Sequence, residues 1–122
     1  MKNVMAGLIL TAIVALFFTA CGWNPSVAEV PITAPWDKMN LPVKEDARVW
    51  ASDAQTLKVV HKADRREVAK NYLDALEKDG WKLTAQPDVR DTGSTFNFEK
   101  GGQKIEVEVY DFENTGVIIE KK

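Results

Sequence analysis

Cys21, His61 and the pair Glu106 and Glu108 are the side chains whose type and spacing could do chemistry. Cys21 is the only cysteine and His61 the only histidine among 122 residues. A reactive thiolate needs a neighbouring base or cation, and a thiolate metal site needs further Cys or His ligands. Gly22, Trp23 and Asn24 supply neither. With no second cysteine, no disulfide closes within the chain. What remains is a thiol to which something is attached. His61 ends an apolar run just before Asp64, so it reads as a surface or edge group rather than a general base. Glu106 and Glu108 share one face of a strand, an arrangement that could make paired carboxylates or a cation site. They alternate with Ile105, Val107 and Val109, however, and the simpler reading is a solvated sheet face. No G-x-S-x-G, P-loop or EF-hand pattern occurs. The sequence therefore predicts a protein that is not an enzyme, with no cofactor and no metal site.

The segment leading to Cys21 explains the thiol. One positive charge, Lys2, is followed by an uncharged run from Val4 to Ala20, VMAGLILTAIVALFFTA. A basic start, an apolar middle and small residues before a cut site make an export signal. An uncleaved membrane anchor is the competing reading, since no charge appears until Glu29. The strongly apolar part stops at Phe18, though, and a spanning helix needs about 20 apolar residues.

Phe18-Thr19-Ala20-Cys21 resembles the lipobox of bacterial lipoproteins. That resemblance implies cleavage after Ala20 and a diacylglyceryl group on the Cys21 sulfur, with acylation of the new amino group by a chain of the palmitate type. Phe18 stands where leucine is usual. Two or three acyl chains hold a protein stably at a membrane, whereas one does so only marginally. Gly22 follows the cysteine, where an Asp would imply retention at an inner membrane. The resemblance thus implies a cell-envelope lipoprotein at the outer membrane, facing the periplasm.

Removing residues 1–20 takes away one basic residue, Lys2, of the 16, and leaves 15 against 18 acidic residues, a net charge of −3. Nucleic-acid binders carry a basic field, so that partner class is not expected. Four of the five prolines fall within residues 22–46, where neither helical nor strand periodicity persists. Residues 1–20 thus read as signal peptide, 21–46 as lipidated Cys and Pro-rich tether, and 47–122 as a small globular domain. A tether of 25 residues could reach ~78 Å in extended form. In the alternative, Trp23, Trp36, Met39 and Leu41 dock this arm on the domain or on a partner, and the cost of leaving Trp36 and Leu41 in water favours packing of its second half.

Within the domain, Thr56–His61 alternates as a strand, with Leu57 and Val59 on one face. Asp64-Arg65-Arg66-Glu67 has the form of a helix cap. Val68, Ala69, Tyr72, Leu73 and Leu76 follow as one apolar stripe. Gly80 stops the helix, and a Schellman ending would fold Trp81 back onto Leu76. Residues 86–94 read as a polar loop. Gly101-Gly102 signals a hairpin that places Phe98 opposite Ile105, Phe96 opposite Val107 and Glu99 opposite Lys104. Val117–Ile119 closes the chain as a last strand. The expected fold is α+β: an antiparallel sheet of about four strands with one helix on a face, in the order β-α-β-β-β.

Two places could carry binding. Lys58, His61, Lys62, Arg65, Arg66 and Lys70 concentrate positive charge near the helix start, and the 86–94 loop is the longest polar connection. The leading expectation is a non-catalytic binding or structural module that meets another envelope protein or a cell-wall component. The alternatives are a small lipid or ligand carrier and an inhibitor or immunity-type lipoprotein.

Overall fold

A computed structural model describes residues 23–122. The signal-like run and Cys21 lie outside the described residues.

The domain is one antiparallel sheet with a helix across one face. The strands are β1 (Ala47–Ser52), β2 (Thr56–His61), β3 (Lys82–Leu83), β4 (Asp88–Arg90), β5 (Gly93–Lys100), β6 (Gln103–Tyr110) and β7 (Thr115–Lys121). The helix α1 spans Arg65–Lys78. The sheet order is β1-β2-β7-β6-β5-β3, and β4 also pairs with β5, so two short segments share its outer edge.

The α+β class and the single helix agree with expectation, but the sheet has seven strands, not about four. Two local features obscure β1 and β4. β1 carries an irregularity between Val49 and Ala51, where the register against β2 shifts by a residue. The extra residue destroys the alternation that marks a strand. β4 lies inside the expected 86–94 loop, is exposed at all three positions and leaves Val89 71% exposed. Its sequence therefore carries no buried face to read.

Local signals elsewhere produced what they specified. The Asp64 carboxylate accepts from the Glu67 N–H at 3.0 Å and caps α1. At the other end, Gly80 takes φ +97°, its N–H donates to Glu77 O at 3.0 Å, and the Trp81 N–H donates to Leu76 O at 2.9 Å. Both Schellman bonds are thus present. The Gly101-Gly102 turn has positive φ at both residues, and the β5–β6 register pairs Phe98 with Ile105, Phe96 with Val107 and Glu99 with Lys104.

The inward face of the sheet supplies Leu57, Val59, Phe96, Phe98, Val107, Val109, Val117 and Ile119 to the core. α1 adds Val68, Tyr72 and Leu76 from its apolar stripe. These side chains close the space between helix and sheet, each stabilising by about 1.5–3 kcal/mol on burial.

Residues 23–46 wrap the domain as a strap. The strap starts beside the β6–β7 turn, where Ser26 donates through its N–H and hydroxyl to the Glu113 carboxylate. Arg48 donates to Val27 O at 2.9 Å and Pro25 O at 3.3 Å, and Pro25 is buried. The strap then follows β1: Val30 N–H donates to Val49 O at 2.9 Å, and Thr33 N–H to the Ser52 hydroxyl at 2.9 Å. A short 3₁₀ turn, Trp36–Lys38, drops Trp36 into the core at 1% exposure, with its indole N–H donating to Asp53 O at 2.6 Å. Met39 joins the same core. The chain returns beside α1 through Leu41 and Val43, both packed against the core. A free tether running to residue 46 does not describe these residues, because the globular unit already includes Trp36 and Met39.

The two ends of the sheet therefore differ. The helix-start end holds the β2–α1 connection, the β6–β7 turn and the beginning of the strap. The helix-stop end holds the Gly101-Gly102 hairpin, the Schellman ending of α1 and the 3₁₀ turn.

Candidate functional site

At the helix-stop end, four segments distant in sequence meet around an open cleft of about 460 Å³. The strap supplies Trp36 and Met39, the helix ending supplies Trp81, and Ile105 rises from β6. The indole of Trp81 lines the cleft because the Schellman bonds turn the chain back over Leu76. Three lysines, Lys38, Lys100 and Lys121, stand around this apolar floor, with Asp79 as the one acidic side chain among the lining residues. Lys100 is engaged: its Nζ lies 3.6 Å from an Asp79 carboxylate oxygen, donates to the Asp79 carbonyl, and sits 6.0 Å from the Trp81 ring centroid. Lys38 and Lys121 make no ion pair among the described residues, so the cleft carries positive charge in excess. The Trp81 indole N–H is buried and finds no acceptor among the described residues. A buried donor left unpaired costs about 1–3 kcal/mol.

A second groove of about 700 Å³ runs between Leu41 and Pro42 of the strap and the outer side of α1. Its helix side is Asn71, Asp74 and Lys78, all exposed, and Asp74 is already paired with Lys70 at 2.8 Å. It is larger and equally open to solvent, but it has no buried polar side chain and no aromatic wall.

The chemistry-bearing residues singled out in the sequence lie elsewhere. His61, expected as a surface or edge group, is 4% exposed. Its Nε2 is joined to the Tyr72 hydroxyl by a 2.7 Å hydrogen bond, and the rings meet edge to face at 5.4 Å. Desolvation pulls the His61 pKa down to about 4, opposed in part by the Asp46 carboxylate, and burial pushes the Tyr72 hydroxyl upward. His61 is therefore neutral at pH 7. A general base must reach the proton it abstracts, and this imidazole is sealed beneath α1. Its burial follows the alternation of Leu57, Val59 and His61 on one strand face, a signal present in the sequence.

The basic cluster around the helix start does not form one patch. Lys58 lies over the Trp50 ring at 5.1 Å, on the sheet face opposite the helix. Arg65 pairs with Asp111 at 3.0 Å and Lys70 with Asp74. Arg90 pairs with Asp88 at 3.2 Å. Glu106 and Glu108 lie on the outer sheet face, where Glu106 meets Lys122 at 3.1 Å. Among the described residues, no three His, Cys, Asp or Glu side chains gather as a metal site. Nor is any described helix long and apolar enough to cross a membrane.

A family model described as START domain-like matches residues 50–116, which is 67 of the 122 residues. The chain belongs to the START domain-like family. Neither a curated protein nor a solved structure matches it. The matched segment of this START-like domain runs from β1 to the beginning of β7 and contributes Trp81, Lys100 and Ile105 to the cleft. Trp36, Lys38, Met39 and Lys121, which also line the cleft, lie outside the matched segment. Sequence reasoning missed the cleft because no two of its walls are neighbours in the chain.

Proposed function

We propose that this chain is a non-catalytic ligand-binding module, held at an extracytoplasmic membrane surface by acyl chains on Cys21, and that the cleft at the helix-stop end is its ligand seat. The observation that carries the reading is an apolar floor of Trp36, Met39 and Ile105, walled by Trp81 and flanked by two unpaired lysines, Lys38 and Lys121. An amphiphile with an anionic head suits both the floor and the lysines: its tail covers Trp36, Met39 and Ile105, and its head meets Lys38 and Lys121. Membership of the START domain-like family supports a small-ligand reading over a purely structural one. The apolar volume is modest, so the ligand is small or only partly enclosed.

The anchor and the seat are tested separately. Palmitate incorporation and membrane fractionation compare the native chain with Cys21→Ala; labelling and membrane retention that disappear in the variant support the anchor. Titration of the mature chain with dodecanoate follows tryptophan emission, since Trp36 and Trp81 both line the cleft. A saturable shift that is lost in Trp81→Phe supports the seat, and the absence of any saturable change removes it.

A further inference from the structure

The strap determines which way this domain faces. If residues 22–46 were a free tether, the domain could sit at any angle and as far as ~78 Å from the bilayer. The described chain is instead gripped from Pro25 onward. Arg48 holds the Pro25 and Val27 carbonyls, Ser26 donates to Glu113, and Pro25 itself is buried. Only Gly22, Trp23 and Asn24 separate Cys21 from this grip. Four residue steps span at most ~14 Å. A lipidated Cys21 therefore has no slack with which to turn the domain over.

The geometry points to a fixed pose: the helix-start end lies against the bilayer, and the cleft at the helix-stop end opens away from it. The inference rests on the lipid anchor proposed above and adds the membrane as partner of one particular surface. That surface contains the beginning of the strap, the β2–α1 connection and the β6–β7 turn. β6 alone, eight residues from Gln103 to Tyr110, sets the two ends about 24 Å apart.

Charge does not create the pose. Lys62 and Arg66 are exposed at this end, but Asp64, Asp91 and Glu113 are exposed beside them, and Arg65 is taken up by Asp111. A surface of mixed sign gives no strong pull towards anionic headgroups. Acyl chains supply the attachment and the strap supplies the direction. A ligand reaching the cleft accordingly arrives from the aqueous side or from a facing surface, not from the leaflet that holds the anchor.

The experiment uses the full chain matured in a bacterial host, where acylation occupies Cys21 and leaves an introduced cysteine as the only thiol. A fluorophore is placed through Lys62→Cys or Thr92→Cys at one end, or through Gln103→Cys at the other; all three positions are exposed. The proteins are reconstituted into phosphatidylethanolamine–phosphatidylglycerol vesicles carrying a nitroxide on the headgroup. Quenching several-fold stronger at positions 62 and 92 than at 103 is the expected result. Equal quenching at both ends, or stronger quenching at 103, overturns the pose. A further variant, Arg48→Ala with Glu113→Ala, frees the strap as far as Val30, lengthening the leash from Cys21 to about nine residue steps, or ~30 Å, and should bring the two ends towards equal quenching; an unchanged ratio would also count against the account. The mass of the mature chain separates the two proposals. If it carries no acyl groups, the anchor fails and the pose with it, while the ligand seat stands on its own titration.

Discussion

The two ends of this domain each bury an aromatic ring together with a polar atom, and they treat that atom in opposite ways. At the helix-start end, Tyr72 and His61 satisfy one another across 2.7 Å beneath the first turns of α1. At the helix-stop end, the Trp81 N–H has no acceptor among the described residues, and the ring borders open space with unpaired lysines nearby. The first arrangement satisfies its buried polar atoms within the architecture, whereas the second sets an aromatic wall beside unpaired lysines and open space. Trp50 sharpens the contrast. Its indole N–H is also buried without an acceptor among the described residues, yet it lies between Phe112, 5.6 Å away, and Lys58 and does not line the cleft. Both indole N–H groups are buried, and what sets Trp81 apart is that it lines the cleft.

The strongest way to break this comparison is to empty the floor of the cleft. Trp36→Ala removes a buried indole and deprives Asp53 O of its donor, and should cost about 3–5 kcal/mol in urea denaturation. A loss near zero would return the strap to the status of a tether.

Acid attacks the opposite end. The folded state lowers the His61 pKa from 6.5 to about 4, so the unfolded chain takes up a proton first as pH falls. The stability that depends on neutral His61 is complete above about pH 6.5 and lost progressively towards pH 4. The loss amounts to at most about 3 kcal/mol. Denaturation midpoints followed from pH 7 to 4 test this, and His61→Gln should flatten that part of the profile. Tyr72→Phe leaves the imidazole Nε2 unpaired at neutral pH and should cost about 1–2 kcal/mol.

The smallest effect on stability is expected at the cleft rim. Lys38→Ala and Lys121→Ala should change unfolding free energy by less than about 0.5 kcal/mol, because both residues are exposed. Each should nevertheless weaken dodecanoate binding several-fold in the emission titration, with little effect on binding of the uncharged alcohol of the same length.

What was legible in the sequence was local. The cap at Asp64, the Schellman ending at Gly80 and the Gly101-Gly102 register depend on residues a few positions apart, and they formed as their chemistry specifies. The strand before Thr56 was only partly legible, since the shift between Val49 and Ala51 disturbs its period. β4 offered no apolar face at all. The burial of His61 was written in its alternation with Leu57 and Val59, but the polar residues that follow suggested an exposed strand end. The cleft could not be read, because Trp36, Trp81, Ile105 and Lys121 meet only after the sheet has formed and the strap has closed over it. Burial of Trp36 needs a partner 17 residues away, Asp53, and no local pattern announces that bond.

The most direct test of the central claim follows the indole N–H resonances of the mature chain, with nitrogen-15 labelling, during addition of dodecanoate. The account predicts a saturable shift of the Trp81 N–H resonance as ligand fills the cleft that Trp81 lines, with the Trp50 N–H unmoved. A titration in which the Trp81 resonance stays fixed to saturating ligand, or in which Trp50 alone responds, would contradict it.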